Sequence, residues 1–192
     1  MAEEGETIIE TARLRLRRLN DADLERMYEF YQDPEFHRFV GGPPAPHDEF
    51  VAWQQQWRYN HYREHGWGQW AVVRKDDGEF LGRCGLIMQH IDGVDEVEVG
   101  YALGRPYWGG GYASEAAVAC RDWAFRYVSV PHVISLIHPD NARSIAVARR
   151  NGMTLWKTTT FKDIPGVGVW RITRDEWEAL HRWTPPAASP SA

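Results

Sequence analysis

A run of three glycines, Gly109-Gly110-Gly111, is the part of the sequence best suited to bind a ligand. It lies between a strand-like segment that ends near Leu103 and an amphipathic segment that begins at Tyr112. Glycines allow unusual dihedral angles and a close approach of the backbone to a bulky group. The first N–H groups of a helix lack intrahelical acceptors and lie at the positive end of its dipole. Residues Trp108 to Ser114 are therefore predicted to bind a phosphate group.

Two common phosphate-binding motifs fit this stretch poorly. A Walker loop needs a lysine directly after its glycines, and none follows Gly111. A dinucleotide-binding turn needs three spaced glycines at the start of a βαβ unit, with an acidic residue about 20 positions later. Here Ser114 stands at the third glycine, and the preceding segments have the pattern of an antiparallel meander. The phosphate ligand therefore needs another explanation.

The segments around this loop alternate between strand-like and helix-like patterns. Leu14 and Leu16 alternate with arginines, which is the period of a half-buried strand, and Lys75 to Gly78 has the composition of a hairpin turn. Strands are predicted at 7–19, 69–74, 79–90, 94–103, 133–137, 153–161 and 167–172, and helices at 22–31, 48–63, 112–128, 141–151 and 173–182. We expect one α+β domain over residues 1–184, with a mixed, mostly antiparallel sheet of about seven strands flanked by helices. Residues 185–192 are predicted to form a disordered tail.

The overall composition argues against several classes of protein. A formal net charge of -5 with scattered arginines is unlike a nucleic-acid-binding protein, which needs a basic surface. The acidic start lacks the features of a signal peptide, and no stretch approaches the ~18 apolar residues of a membrane span. A cytoplasmic protein without a membrane partner is therefore expected. Cys84 and Cys120 are the only cysteines, and their spacing offers neither a disulfide framework nor a zinc site.

The glycine loop is similar to the coenzyme A loop of the GCN5-related N-acetyltransferases, the GNAT family. Their [Q/R]-x-x-G-x-[G/A] pattern falls on Trp108 to Ala113, with Trp108 in place of the usual Gln or Arg. Within the family, the sequence resembles the branch of ribosomal-protein N-terminal acetyltransferases. The matching residues are Gly100-Tyr101, Trp108 to Ala113 and Glu115-Ala116. Similar family text occurs in order along the chain at Thr11 to Arg17, Leu81 to Leu86 and Asn141 to Met153.

This resemblance implies a fold, a cofactor and a set of contacts. The family's fourth and fifth strands splay apart, and acetyl-CoA binds in the opening, with no metal required. The strand backbone would hold its pantetheine arm, the glycine loop its pyrophosphate, and Asn141 and Ser144 would lie near the thioester. The resemblance also makes a homodimer a candidate assembly. The cofactor-binding residues implied in this way are Tyr101, Ala102, Leu103, Trp108, Gly109, Gly110, Gly111, Tyr112, Ala113, Ser114, Asn141 and Ser144.

The resemblance implies direct attack of a neutral amine on the thioester, but it does not supply the usual acid and base. Many relatives carry a tyrosine at the position of Ala148, and some carry a glutamate at that of Leu136. Glu98 is the best-placed carboxylate for removing a proton from the amine, directly or through water, and Asp163 is the second choice. Ser144 stands where members of the branch place a hydroxyl close to the departing sulfur.

Three other functions compete with this interpretation. His61-Tyr-Arg-Glu64-His65 matches the H-x-x-E-H signature of a zinc peptidase, although Gly66 and Trp67 end the helix directly after it. Cys84 lies in a predicted strand and could form an acetyl-enzyme, although no histidine is paired with it by any pattern. A catalytically silent module that only binds acyl-CoA would also lack the usual tyrosine and glutamate.

The acceptor is expected to be a primary amine, either a protein N-terminus or a small molecule. Aromatic side chains of the first two helices and of the last strands are candidates for lining its site, since a ring attracts a cationic amine. The candidates are Trp53, Trp57, Tyr59, Trp67, Trp70, Trp156, Phe161 and Trp170. Such a set does not select between a peptide α-amine, a polyamine, an amino acid and an aminoglycoside.

Overall fold

The computed structural model describes residues 5–182, which contain one eight-stranded sheet with helices on both faces. The strands are β1 (Thr7–Glu10), β2 (Leu14–Arg18), β3 (Gln69–Arg74), β4 (Phe80–Ile91), β5 (Val94–Leu103), β6 (His132–Ile137), β7 (Thr154–Phe161) and β8 (Ile164–Thr173). The helices are α1 (Asp21–Tyr31), α2 (Pro34–His37), α3 (His47–His65), α4 (Tyr112–Tyr127), α5 (Ala142–Arg150) and α6 (Arg174–Arg182), and a short 3-10 helix, Arg105–Tyr107, precedes α4. No helix in this range is long and apolar enough to cross a lipid bilayer.

The strands lie in the order β1-β2-β3-β4-β5-β6-β8-β7, and only the β5–β6 pair is parallel. The prediction of a mixed, mostly antiparallel sheet is therefore confirmed. The strand count is eight rather than about seven, because the predicted strand at 7–19 is a hairpin of β1 and β2. Thr11 closes its turn by donating from its N–H to Leu14 O at 2.9 Å. The alternation belongs to β2 alone, since β1 has the sequence TIIE, and no glycine or proline marks the turn between the two strands.

The structure adds a short helix, α2, that the sequence analysis does not predict. The Asp33-Pro34 pair ends α1, as expected, but it also starts the next helix. The Asp33 carboxylate accepts a hydrogen bond from Glu35 N at 3.0 Å, and Pro34 occupies the first helical position. Proline suits that position because its missing N–H would have no partner there. The Asp33-Pro34 pair therefore both follows the end of α1 and begins α2.

Helix α4 packs on one face of the sheet, and α1, α2 and α3 pack on the other. Successive side chains of a strand point to opposite faces, so strands covered on both sides carry few exposed positions. On β5, Val99 faces α4 and Ala102 faces the α1 side. The buried core under α4 includes Trp70, Leu81, Leu86, Cys120 and Phe125, and that under α1 to α3 includes Met27, Tyr31, Phe36, Phe50 and Ala71.

Strands β5 and β6 are joined at a single residue pair, Glu98 with Ile134. One residue further along, Ser135 Oγ donates to Val99 O at 2.8 Å, so a side chain takes the place of a backbone partner. Beyond this point β5 continues to Leu103 without pairing to β6. These two strands are the fourth and fifth in the family's order, because the β1–β2 hairpin adds one strand. The predicted splay is therefore present in the middle of the sheet.

The C-terminal end of the described chain begins its last helix with the predicted capping box. The N–H of Thr173 donates to Glu176 Oε2 at 2.7 Å, and its hydroxyl donates to the same atom at 2.8 Å. Helix α6 then runs to Arg182. The predicted tail at 185–192 lies outside the described residues, and the domain boundary at residue 184 stays a prediction.

Candidate functional site

A cavity of about 630 Å³ opens where β5 separates from β6, against the first turns of α4 and α5. We call it the first cavity. Its wall contains every residue that the resemblance implied for the cofactor: Tyr101, Ala102, Leu103, Trp108, Gly109, Gly110, Gly111, Tyr112, Ala113, Ser114, Asn141 and Ser144. The structure thus brings together residues from three separate segments. Their contacts with a cofactor remain a prediction.

The glycine loop places the uncapped N-terminus of α4 at this cavity. Gly111 is the N-cap of α4, with a φ of 79°, and no side chain caps the helix. A left-handed φ is strained for residues other than glycine. The N–H groups of the first turn, at Tyr112, Ala113 and Ser114, therefore have no capping side chain as a partner. This arrangement favours an anion at the start of α4.

Arg13 and Glu115 hold the loop in place from the hairpin side. Glu115 Oε1 accepts from Thr11 Oγ1 at 2.6 Å and from Arg13 N at 2.9 Å, and its Oε2 accepts from Arg13 Nε at 2.7 Å. Arg13 Nη1 also donates to Gly110 O at 2.9 Å. Partial burial raises the pKa of Glu115, but these hydrogen bonds outweigh it and keep the pKa below its ordinary value. Arg13 therefore engages the carbonyl of Gly110, while the N–H groups at the start of α4 stay free to bind a ligand.

Trp108 fastens the other end of the loop to the sheet. Its Nε1 donates to Leu103 O at 2.7 Å, so this carbonyl is already engaged and is a weaker candidate for binding a ligand than expected. The Arg143 guanidinium lies 4.5 Å from the centre of the Trp108 ring. Arg143 and Arg150 both line the first cavity and are exposed. These two cations were not among the predicted site residues, although their position in the helix that follows Asn141 is a signal for them.

The free edge of β5 can be located from two hydrogen bonds. Val99 O accepts from Ser135 Oγ, and Leu103 O accepts from Trp108 Nε1, so both carbonyls point away from β4. Peptide groups two residues apart point to the same edge of a strand. The N–H and C=O of Tyr101, which lies between them, therefore face the opening toward β6. They are available to an extended ligand that lies along β5.

Asn141 and Ser144 form the start of α5 beside this edge. Asn141 Oδ1 accepts from Ser144 N at 3.1 Å and so caps the helix. The Tyr101 hydroxyl donates to Ser144 O at 3.1 Å, a side-chain contact that the sequence analysis did not foresee. Burial raises the pKa of Tyr101, so this hydroxyl stays protonated. The contact ties the middle of β5 to α5 across the first cavity.

A second cavity of about 450 Å³ lies on the face covered by α1 and α3, and Val40 lines both cavities. Of the aromatic candidates, Trp53 and Trp57 line this second cavity, and their rings stack with centroids 6.4 Å apart. Trp70 is only 2% exposed, belongs to the core under α4 and lines neither cavity. The other candidates, which line neither cavity, are Tyr59, Trp67, Trp156, Phe161 and Trp170.

Glu98 lies beneath the second cavity without lining it. Its side chain is buried, with Oε2 accepting from Gln89 Nε2 at 2.6 Å and Oε1 accepting from Leu136 N at 3.1 Å. Gln89 lines the second cavity and covers the carboxylate. Burial raises the pKa of Glu98, and the two hydrogen bonds offset this only in part. By contrast, Asp163 is exposed in the β7–β8 turn with a φ of 63° and lines neither cavity.

Both ring nitrogens of His61, from the zinc-peptidase signature, form hydrogen bonds with backbone groups. Its Nδ1 donates to Trp67 O at 2.9 Å, and its Nε2 accepts from Met88 N at 3.0 Å. Burial lowers the pKa of His61, which favours this neutral form. No group of three or more His, Cys, Asp or Glu side chains within residues 5–182 has a metal-binding arrangement. The histidine therefore connects α3 to β4 instead of serving as a ligand.

We expect His61→Ala to destabilise the protein by about 1–3 kcal/mol, because it leaves Met88 N and Trp67 O without partners. The lowered pKa also sets a pH dependence: the stabilising contribution is present above the unfolded pKa of histidine and is lost as the pH falls below it. Urea unfolding at neutral and acid pH would measure both effects. His65→Ala is the matched control, since His65 makes no backbone hydrogen bond. Equal losses in the two variants would contradict a special role for His61.

Cys84 is not placed to act as a nucleophile. It is fully buried under α4, its Sγ lies 3.5 Å from Cys120 Sγ, and it lines neither cavity. Burial raises the pKa of the Cys120 thiol well above its ordinary value. Thiols in such apolar surroundings are unreactive. The pair contributes to packing between β4 and α4.

Comparison with known proteins agrees with this geometry. The acetyltransferase (GNAT) domain matches residues 13–154. The uncharacterized protein YkkB of Bacillus subtilis is 36% identical over 159 residues, which cover 80% of this chain and 89% of that protein. The crystal structure of an acetyltransferase from Agrobacterium tumefaciens is 32% identical, with a TM-score of 0.76 over 91% of this chain and 98% of that chain.

A more distant structure shares the fold and was solved with coenzyme A. It is RimL, a ribosomal L7/L12 alpha-N-protein acetyltransferase, at 19% identity and a TM-score of 0.71 over 89% of this chain and 99% of that chain. The family match covers most of the present chain, and it includes the glycine loop and the splayed strands. The chain belongs to the GNAT family and is an acetyltransferase.

Proposed function

We propose that this protein transfers the acetyl group of acetyl-CoA to a primary amine by direct attack in a ternary complex. The observation that carries the proposal is that two cavities adjoin at Val40, which lines both of them. The first cavity has the phosphate-binding loop and the free strand edge, and the second has space for an acceptor. When bound, acetyl-CoA supplies the activated thioester.

The residues of the first cavity fit this cofactor. The uncapped N–H groups of α4 and the exposed guanidiniums of Arg143 and Arg150 suit its phosphates. The N–H and C=O of Tyr101 suit the amides of the pantetheine arm, which would pair with β5 like an added strand. A backbone N–H in this position can also donate to the carbonyl oxygen that gains charge during attack. Ser144 lines the same cavity and supports a contact near the sulfur.

Glu98 is the proposed base, acting through a water molecule in the second cavity. The Gln89 side chain that covers its carboxylate lines that cavity, so a water molecule that displaced this amide would connect Glu98 to an amine. Burial raises the pKa of Glu98 toward the neutral range, where a carboxylate is a more effective base. Direct attack is supported further by the position of Cys84, which cannot reach either cavity.

Initial-rate kinetics should distinguish this proposal from its alternatives. We expect coenzyme A release to depend on an amine, with reciprocal plots that intersect when acetyl-CoA and amine are varied together. A panel of a peptide, a polyamine, an amino acid and an aminoglycoside, followed by thiol detection, covers the candidate acceptors. Parallel lines would indicate an acetyl-enzyme instead. If coenzyme A raised the melting temperature but no amine in the panel released thiol, the protein would be a binding module.

A further inference from the structure

The second cavity contains a cationic side chain that has no acidic partner within residues 5–182. Arg83 on β4 lines this cavity and is half-buried. Its Nη1 donates to Gln54 Oε1 at 3.0 Å and its Nη2 donates to Tyr31 OH at 3.3 Å, so both partners are neutral. Its Nε is buried without a partner among the described residues. Since a guanidinium has five N–H donors, much of its hydrogen-bonding capacity is unused.

Of the other shielded arginines, two contact a carboxylate, whereas Arg18, whose Nε is also buried without a partner among the described residues, lies over the Tyr62 ring. Arg17 contacts Asp23 at 2.6 Å, and Arg121 contacts Asp122 at 2.7 Å. A charge removed from water is costly unless an opposite charge or sufficient hydrogen bonds meet it. Arg83 forms no ion pair with a carboxylate within residues 5–182. An anionic group entering the second cavity would supply the missing partner, and a guanidinium binds carboxylates and phosphates in a two-pronged geometry.

Hydrogen bonds hold the Arg83 guanidinium near the junction of the two cavities. The Tyr31 hydroxyl accepts from Arg83 and donates to Val40 O at 3.1 Å, and Val40 lines both cavities. On the strand ladder, Arg83 lies opposite Ala102, which lines the first cavity. A group bound to Arg83 would therefore lie beside the point where the acetyl group is delivered.

The remaining charges of the second cavity favour an anion. Lys162, exposed in the β7–β8 turn, also lines it, while Glu49 is the one carboxylate among the described lining residues. Two cations thus face one anion, which is unfavourable for a polyamine. The rest of the wall combines amides with apolar rings: Gln54, Gln69, Gln89, Phe50, Trp53 and Trp57. This surface suits a small molecule with one acidic group and an apolar part.

We propose that the acceptor is a small amine that carries a carboxylate or a phosphate, and that Arg83 binds this acidic group. The proposal rests on the acetyltransferase function proposed above and narrows its acceptor class. Arg83 and Glu98 lie four residues apart on the β4–β5 ladder, about 13 Å along the strands. Two side chains and a small amino acid can span that distance together. Gly100 lies between them on the same face of β5, and the space beside it is filled by the side chains of Ile87 and Gln69, which both line the second cavity.

The test compares acceptors that differ in the acidic group. L-Phenylalanine against its amide, and O-phosphoethanolamine against ethanolamine, are suitable pairs with acetyl-CoA as donor. We expect kcat/KM to be about 10- to 100-fold higher for the acidic member of at least one pair, as is typical of charged hydrogen bonds. Arg83→Gln should remove this preference. Arg126→Gln, exposed on α4 and lining neither cavity, should keep it.

The outcomes separate this inference from the proposed function. Turnover with equal or higher kcat/KM for neutral amines, polyamines or peptide N-termini would overturn the acidic acceptor but not the acetyltransferase. A preference that survives in Arg83→Gln would overturn the role of Arg83. The wild-type comparison decides the acceptor class even if that variant fails to fold. If no amine turns over, the proposed function fails and the acceptor class fails with it. Melting temperatures then decide whether Arg83 binds an acidic group: stabilisation by the acidic members alone supports this, and its absence overturns it.

Discussion

Glu98→Gln is expected to lower kcat by about 10²- to 10³-fold, with little change in KM for acetyl-CoA. The glutamine can still accept a hydrogen bond from Leu136 N through its Oε1, and its Nε2 can donate to the Gln89 amide oxygen once that amide is reversed, but it cannot take a proton. Because burial raises the pKa of Glu98, kcat/KM of the wild type should fall on the acid side of a pKa above the usual carboxyl range. In the variant, kcat/KM should no longer fall at acid pH in this way. Initial rates measured from acid to neutral pH would show both effects.

The same substitution is expected to leave stability equal or higher at neutral pH. A folded-state pKa above the unfolded value means that the protonated form of Glu98 favours folding. This contribution is complete below the unfolded pKa and is lost as the pH rises through the folded pKa. Above that pH the wild type buries a carboxylate that the variant lacks. Slower turnover by an equally stable protein could not be attributed to unfolding, and thermal melts at neutral pH would check this.

Glu96→Gln is the matched control for both measurements. Glu96 faces the same side of β5 and is 7% exposed, against 8% for Glu98, but its Oε2 contacts His132 Nε2 at 2.6 Å. Its partner His132 lines neither cavity, whereas Gln89, the partner of Glu98, lines the second one, so the rate and pH profile of Glu96→Gln should match those of the wild type. An unchanged rate and pH profile in Glu98→Gln would leave that carboxylate only a structural role, as the acceptor of Leu136 N.

The glycine loop was predictable from the sequence because its chemistry is local. A helix without a capping side chain after several glycines has free N–H groups whatever the rest of the fold does, and Gly111 shows this arrangement. The ion pair and hydrogen bonds between Arg13 and Glu115 were not predictable in the same way. These residues are separated by 102 positions, and only the order of the strands brings β2 beside α4. Both residues lie in segments that resemble the family, but that resemblance gives no physical reason for their contact.

The second cavity shows what composition alone cannot decide. Trp70 and Trp53 are both aromatic, yet Trp70 is 2% exposed in the core and Trp53 is 60% exposed at the cavity. Residue type favours burial and ligand contact equally, and only the packing of α1, α3 and α4 separates the two. Arg83 has the sequence pattern of an outward-facing strand residue. It becomes a cavity cation because α1 and α3 cover that face of β4.

Ser114→Asp is expected to act in opposite directions on the free protein and on its complex. Ser114 is the third residue of α4, where a carboxylate gains about 0.3–1 kcal/mol from the helix dipole, so the free protein should melt slightly higher. In the complex the same carboxylate would lie close to the pyrophosphate. Two like charges about 5 Å apart repel by about 3 kcal/mol at an effective dielectric constant of about 20. That corresponds to a Kd for coenzyme A about 100-fold higher.

Ser114→Asn separates the effect of charge from that of shape. It keeps a polar side chain of the same size as aspartate, so its affinity for coenzyme A should stay close to that of the wild type. Calorimetric titration with pantetheine, which lacks the phosphates, should show no loss in either variant. Added salt should recover part of the affinity of Ser114→Asp, because counterions screen the repulsion. If Ser114→Asp bound coenzyme A as tightly as the wild type, the pyrophosphate could not lie at the start of α4, and the glycines of the loop would serve only its conformation.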